Sequence, residues 1–155
     1  MHKYVNEAFE EIEKARGKKK TELMKDYGAK VPYNLLLSLN FDETLEIDLP
    51  PGMPPHKRDE ATHPDMFQTT LQQQLKRMRV FFKNNPDNIP KWKKEMLFVQ
   101  LLEGIPPKEA DVLVHVKDKA LTEMYPSITY DFVSGIFPNY CRRVSNDKMG
   151  DSEKK

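Results

Sequence analysis

A single cysteine, Cys141, stands among 155 residues, which leaves no internal disulfide and no thiolate zinc finger and suits a reducing compartment. Glycine is scarce at six residues, few for loops that bring backbone close to a ligand. None of them stands in a phosphate-cradling loop before Lys-Ser or Lys-Thr, or in a Gly-x-Ser-x-Gly elbow, and no His-Glu-x-x-His is present. Long apolar runs are missing as well. The opening Met1-His2-Lys3 turns polar at once, so neither a signal peptide nor a membrane span is expected. An excess of either charge is also lacking, with 25 Lys and Arg against 24 Asp and Glu. Attraction to nucleic acid or membrane must therefore come from local patches. With 38% hydrophobic and 32% charged residues, the core should be thin and the helices largely solvated. No internal repeat is visible.

What the chain does have is helical periodicity. Val5, Ala8, Phe9, Ile12 and Ala15 recur at three- and four-residue steps up to Gly17, the stripe of an amphipathic helix. Leu23, Met24 and Tyr27 continue such a stripe to Gly28, where a left-handed residue would cap the helix. Pro32 suits the first turn of a third helix through Tyr33, Leu35, Leu36 and Leu39, apolar nearly all round and so buried. Phe67, Leu71, Gln74, Leu75, Met78, Phe81 and Phe82 then trace one long helical face. The breaker run Asn84 to Pro90 follows, and a helix from Pro90 carries Trp92, Met96, Leu97, Val99, Leu101 and Leu102 to Gly104. Together these two predict a helical hairpin over Met66 to Gly104. Pro106-Pro107 opens a further helix that turns Ala110, Leu113, Val114 and Val116 inward, and a last one runs from an N-cap at Thr129 through Val133 to Pro138.

Two stretches break the pattern. Leu45, Ile47 and Leu49 alternate with Glu46 and Asp48, the two-residue period of an extended segment. Without an obvious partner strand this reads as an arm laid on helices, and a two-stranded ribbon is the alternative. Leu49 to Pro55 lacks the amide hydrogens for helix or sheet, and a polar run to Asp65 follows, so residues 49–65 read as a proline-rich loop or arm. Residues 1–143 are expected to form one helical domain, a compact bundle of five to seven short helices with one extended proline-rich crossover. Residues 144–155 hold almost no apolar surface and are expected to be a disordered charged tail.

The candidate sites follow from charge. Lys76, Arg77, Arg79, Lys83, Lys91, Lys93 and Lys94 bracket the predicted hairpin, and Lys18, Lys19, Lys20, Arg142 and Arg143 extend the field if the fold brings the ends together. Several phosphate contacts would make binding salt-sensitive, and Trp92 or Tyr140 offers a stacking surface for an unpaired base. The plainer reading makes these cations the solvated faces of amphipathic helices, paired with nearby acids. Trp92 is equally a candidate core anchor. Pro50, Pro51, Met53, Pro54 and Pro55 form a pre-ordered segment suited to docking on a partner or to packing over the chain's own helices. His56, Asp59, Glu60, His63 and Asp65 offer imidazole and carboxylate, but at no spacing that defines a metal site. Cys141 lies beside Arg142 and Arg143, whose charge would lower a thiol pKa, and His115 sits inside an apolar helix. None of these forms a catalytic set, so no enzyme activity, cofactor, metal or small-molecule substrate is expected.

The order of several short motifs resembles a family of small proteins encoded by contractile-tailed bacteriophages, including cyanophages, that has no assigned activity. The motifs are Glu7-Ala8-Phe9, Val31-Pro32-Tyr33, Phe41-Asp42-Glu43-Thr44 and Leu49-Pro50-Pro51-Gly52-Met53-Pro54-Pro55. They continue with Arg79-Val80-Phe81-Phe82-Lys83, Lys94-Glu95-Met96-Leu97-Phe98 running to Leu101-Leu102-Glu103-Gly104-Ile105, Glu109-Ala110-Asp111, Val116-Lys117-Asp118-Lys119 and Phe137-Pro138. The resemblance implies a phage origin and expression in the host bacterial cytoplasm, and it brings no site residues with it. On this basis the chain is expected to be a phage accessory protein that binds nucleic acid, or a nucleoprotein complex of transcription or replication, through its basic hairpin. The alternative is a protein-interaction module modulating a host or viral protein, or a minor assembly factor.

Overall fold

Gly17 takes φ +60° where the second helix opens, a backbone turn that a side chain would strain. In the computed structural model, which describes residues 4–83 and 88–143, α1 spans Val5–Lys14, α2 Gly17–Gly28 and α3 Tyr33–Phe41. Leu71–Gln74 forms α4, Lys91–Gly104 α5, Pro107–Lys117 α6, Leu121–Met124 α7 and Tyr130–Ile136 α8. Short 3₁₀ segments cover Pro64–Met66, Leu75–Phe81 and Pro138–Tyr140. Helical segments make up 62% of the described residues and no strand occurs among them, so the chain is mainly α as expected. The short α7 had no sequence signal, because four residues cannot display a helical period.

α6 is the centre of the fold. Val112, Leu113 and Val116 are buried with Ala110 and Val114, and α6 packs against α1, α3, α4, α5 and α7. Its third residue, Glu109, is fully buried. That carboxylate accepts the backbone N–H of Val5 and of Leu71, each at 2.9 Å, so one side chain closes the first turns of α1 and α4. Phe9 meets Tyr33 edge-on at 5.5 Å and Tyr125 at 5.6 Å between ring centroids, fixing α1 over α3 and the end of α7. Thr129 caps α8 as expected, its hydroxyl accepting the Phe132 N–H at 3.1 Å.

Three expectations need correction. The long helix read from Phe67 to Phe82 is broken. Thr70 and Gln73 form a reciprocal capping box, which starts the helix only at Leu71, and after Gln74 the chain tightens into a 3₁₀ helix. Leu75, Met78 and Phe81 are all buried there, and their strict three-residue spacing fits the three residues per turn of that helix. The middle of the chain is therefore one full α-helix facing a tighter, shorter element. The run Asn84 to Asp87 lies outside the described residues, as does the tail beyond Arg143.

Gly28 is not a left-handed cap. It ends α2 and the following Ala29 is right-handed, with φ −81°. What requires glycine is a close approach, since a Cβ would sit 2.5 Å from Cε2 of Phe137. The third correction concerns Trp92 and Met96, which leave the apolar set and are 66% and 44% exposed.

The alternating segment is an arm, pinned by one antiparallel bridge between Ile47 and Phe82. The Asp48 N–H donates to the Phe81 carbonyl at 2.7 Å and the Lys83 N–H to the Glu46 carbonyl at 3.0 Å. The proline-rich crossover lies over α5 and α6 and is fastened along its length. Lys117 Nζ donates to the Pro50 carbonyl at 2.7 Å and the Gly52 N–H to Asp118 at 2.9 Å. Further on, the Lys57 N–H donates to Glu103 at 2.8 Å, and the Arg58 guanidinium grips both oxygens of Asp111 at 2.7 and 3.3 Å.

Candidate functional site

The start of α5 presents the most exposed aromatic side chain on the basic part of the chain. Pro90 precedes the helix with extended backbone and no side-chain cap, and the first turn carries no acid. Lys91, Trp92 and Lys93 all stand in solvent there. One turn on, Met96 extends the exposed stripe of Trp92, while Phe98, Leu101 and Leu102 face the core. Helical spacing explains the split, since residues four apart share a face.

The predicted basic set divides on inspection. Lys94 does not belong to any surface. It is 3% exposed, and its Nζ donates to Asp48 at 3.0 Å and to the Phe82 carbonyl at 3.2 Å, because the inward turn of α5 that carries Phe98 also carries position 94. Lys83 stays in solvent but meets Glu46 at 3.5 Å, an exposed pair of small energetic weight. Both acids come from the alternating segment; Lys83 fits the plainer reading of a solvated lysine paired with an acid, whereas Lys94 is buried in its pair and is not a solvated face. Arg77 lines a groove of about 710 Å³ with Asp59, Gln100, Glu103 and Gly104, beside the end of α5. Lys91 and Lys93 sit at its start. A helix of 14 residues is about 21 Å long, so Arg77 stands well apart from Lys91 and Lys93, whereas Lys83 follows the Phe82 carbonyl that Lys94 reaches. Lys76 and Arg79 are exposed on the 3₁₀ helix.

The flanking candidates sort in the same way. Arg142 Nε donates to Asp42 at 2.7 Å and Arg143 pairs with Glu43 at 3.4 Å, so neither adds free charge. Burial opposes ionisation of Asp42, but bonds from Thr44 and Arg142 outweigh it and hold the carboxyl below its ordinary range. The Tyr140 hydroxyl donates to the Gly28 carbonyl at 2.9 Å and its ring stacks on Phe137 at 4.6 Å, which uses both of its faces of chemistry. Burial first, then the Asp42 charge, pushes the Cys141 thiol up, against a smaller pull from Arg143. The lowered thiol expected from the two arginines is thus reversed by burial.

The histidine and acid loop does not converge. His56 Nδ1 meets the Pro54 carbonyl at 2.9 Å, Asp59 accepts the N–H groups of Ala61 and Thr62, Glu60 pairs with Arg58, and Asp65 accepts the Tyr4 hydroxyl. His63 caps the 3₁₀ turn that follows it. Among the described residues no three such side chains are arranged to hold a metal ion. His115 Nδ1 lies 2.7 Å from the carbonyl of Asp111, one turn back in its own helix.

Between the proline-rich crossover and α5 runs a groove of about 420 Å³, lined by Pro51, Met53, Pro54, Glu95, Phe98 and Val99 among others. Pro50, Pro51, Met53 and Pro55 are exposed on its outer side. No described helix is long and apolar enough to cross a membrane.

Residues 8–123 match a family of unknown function, DUF6433. The chain belongs to the DUF6433 family. The match begins within α1, ends within α7 and does not reach α8. No curated protein and no solved structure gives a match. Inside the family region, the motif residues Asp42, Lys94, Glu109, Asp111, Lys117 and Lys119 are all engaged within the chain. Lys119 Nζ, for instance, donates to the carbonyls of Leu39 at 2.6 Å and Asp42 at 3.0 Å. These side chains clasp loops to helices, and sequence reasoning could not separate them from surface charge without knowing which carbonyls they reach.

Proposed function

We propose that this protein is a non-catalytic accessory factor that binds single-stranded nucleic acid, alone or within a nucleoprotein complex of transcription or replication. Its resemblance to phage proteins makes the setting an infected bacterial cytoplasm. The observation that carries the reading is Trp92, two-thirds exposed at 66% between Lys91 and Lys93. A large indole left in solvent forgoes the stabilisation of burial, and a base stacked on it, with lysines over the adjoining phosphates, would supply the missing contact. Single strands fit better than duplex, because stacking needs an unpaired base.

Fluorescence anisotropy with a labelled oligo(dT) across a salt series tests this. Wild-type protein is expected to bind at low salt with quenching of Trp92 emission. Trp92→Ala should bind about 5- to 150-fold more weakly, the equivalent of about 1–3 kcal/mol of stacking. Absence of binding at low salt, or equal affinity of Trp92→Ala and of Lys91→Gln/Lys93→Gln, defeats the proposal.

The second reading, a protein-interaction module, draws on the same end of α5. Met53 is exposed in the groove beside the crossover, which Glu95 and Val99 of α5 also line, and Trp92 and Met96 are exposed on the same helix; methionine with tryptophan suits an adaptable protein contact. In that case Pro50, Pro51, Met53, Pro54 and Pro55 form one wall of the contact. A stoichiometric partner retained after nuclease treatment and lost with Met53→Ser would favour it.

A further inference from the structure

A second group of cations stands apart from the helix that carries Trp92. Lys14, Arg16, Lys18 and Lys19 fall within six residues at the corner between α1 and α2, and all four are exposed. None is paired with a carboxylate among the described residues. Lys20 differs, since its Nζ turns inward to the carbonyls of Ile12 at 2.9 Å and Glu13 at 3.3 Å and to the Ser127 hydroxyl. The acid nearest in sequence, Glu13, is likewise occupied by the N–H of Ser127 at 3.1 Å and by its hydroxyl. Four cations are thus held close together without an ion pair among the described residues, which costs stability through mutual repulsion unless an outside anion relieves it.

The helices bring this corner to the end of the molecule that carries Trp92. α1 and α6 start together, both held by Glu109. Their far ends both reach the chain that follows α6, where the Ala120 N–H donates to the His115 carbonyl and the Ser127 N–H to Glu13. α5 joins α6 through Ile105 and Pro106 alone and runs back along it, so that Glu95 and Val99 line a groove with Lys117 from the last turn of α6. The start of α5, the end of α6 and the α1–α2 corner therefore share one pole. The opposite pole is acidic, with Glu7, Glu10, Glu60 and Asp65 around one groove.

We infer that the α1–α2 corner is a second phosphate-contact patch, and that one strand of nucleic acid runs from Trp92 across this pole to Lys14, Arg16, Lys18 and Lys19. The inference rests on the reading proposed above and extends it. Two separated cation groups at one end, with α6 between the helices that carry them, suit an extended polyanion better than a compact anion, which would occupy one group only. Helix axes pack about 8–10 Å apart, so the path spans several nucleotides.

The test compares oligo(dT) of about 4 and about 16 nucleotides, the range of single-strand site sizes, by anisotropy across salt. On the longer strand, Lys18→Gln/Lys19→Gln should make the slope of log affinity against log salt shallower by about 1.4, from about 0.7 for each lost phosphate contact. On the shorter strand, seated at Trp92, the same variant should match wild type, whereas Lys91→Gln/Lys93→Gln weakens both. Folding is not at issue, because cations in the first turn of α2 oppose the helix dipole and their loss does not weaken the helix. An unchanged slope for Lys18→Gln/Lys19→Gln on the longer strand, alongside a reduced one for Lys91→Gln/Lys93→Gln, overturns the second patch and leaves the first intact. Absence of wild-type binding to either strand at low salt removes both. Loss of binding to vesicles of anionic phospholipid in Lys18→Gln/Lys19→Gln, with oligonucleotide binding untouched, also overturns it and assigns the corner to a membrane surface.

Discussion

Replacing Glu109 with alanine should loosen two helices at once. The carboxylate is wholly buried and accepts the first N–H of α1 from Val5 and of α4 from Leu71, each at 2.9 Å. Alanine leaves both donors in the interior without an acceptor, at about 1–3 kcal/mol each, so the expected loss is about 2–6 kcal/mol out of a total stability of about 5–15 kcal/mol. For a chain of this length that is a fall in Tm of about 4–24 °C. Thermal unfolding followed by circular dichroism reads it directly, and hydrogen exchange should show early opening at Val5 and Leu71. Glu109→Gln, which keeps one acceptor oxygen, should fall between wild type and alanine. Burial above all pushes this carboxyl up, with a smaller push from Glu7 and against the pull of the two amides. Its contribution is therefore fully present below the unfolded value of about 4.3 and declines as pH rises through the folded value. Wild type should gain on Glu109→Gln as pH is lowered from 7 toward 4.5. A Glu109→Ala protein that melts within 2 °C of wild type, a bound on the order of 1 kcal/mol, would refute the reasoning.

Three further outcomes are expected. Lys94→Ala strands Asp48, whose side chain is 31% exposed and can rehydrate. Its cost in denaturant titration should accordingly stay below the roughly 3–5 kcal/mol of a fully buried pair, near about 2 kcal/mol, while Lys93→Ala stays within about 0.5 kcal/mol. Asp42, held low by Thr44 and Arg142 against the opposing effect of burial, contributes stability above its unfolded value of about 3.9 that disappears as pH falls through its folded value. Asp42→Asn should be less stable than wild type at pH 7, and urea titrations at pH 7 and pH 3 should show that gap narrowing with acid. Arg58→Ala removes the two-pronged grip on Asp111 and should speed proteolytic cleavage within residues 50–62, with global stability lowered by about 1 kcal/mol or less.

Periodicity and punctuation carried the helical architecture into view. Apolar steps of three and four marked α1, α2, α3, α5, α6 and α8, while Gly17, Pro90, Pro107 and Thr129 marked several of their boundaries, because these are consequences of local backbone geometry. The same local logic contained the three-residue spacing of Leu75, Met78 and Phe81, and there a tighter helix replaced the α-helix expected from apolar content alone. Partner choice was not local. Lys94 and Lys93 are adjacent and identical in type, and only the position of the arm that carries Asp48 decides that one is buried in an ion pair and the other left in water. Glu109 reads as an ordinary first-turn acid until α1 and α4 bring their amides to it from 104 and 38 residues away. Charge and helical face are encoded residue by residue, whereas burial and neutralisation depend on which distant segments the hydrophobic core draws together.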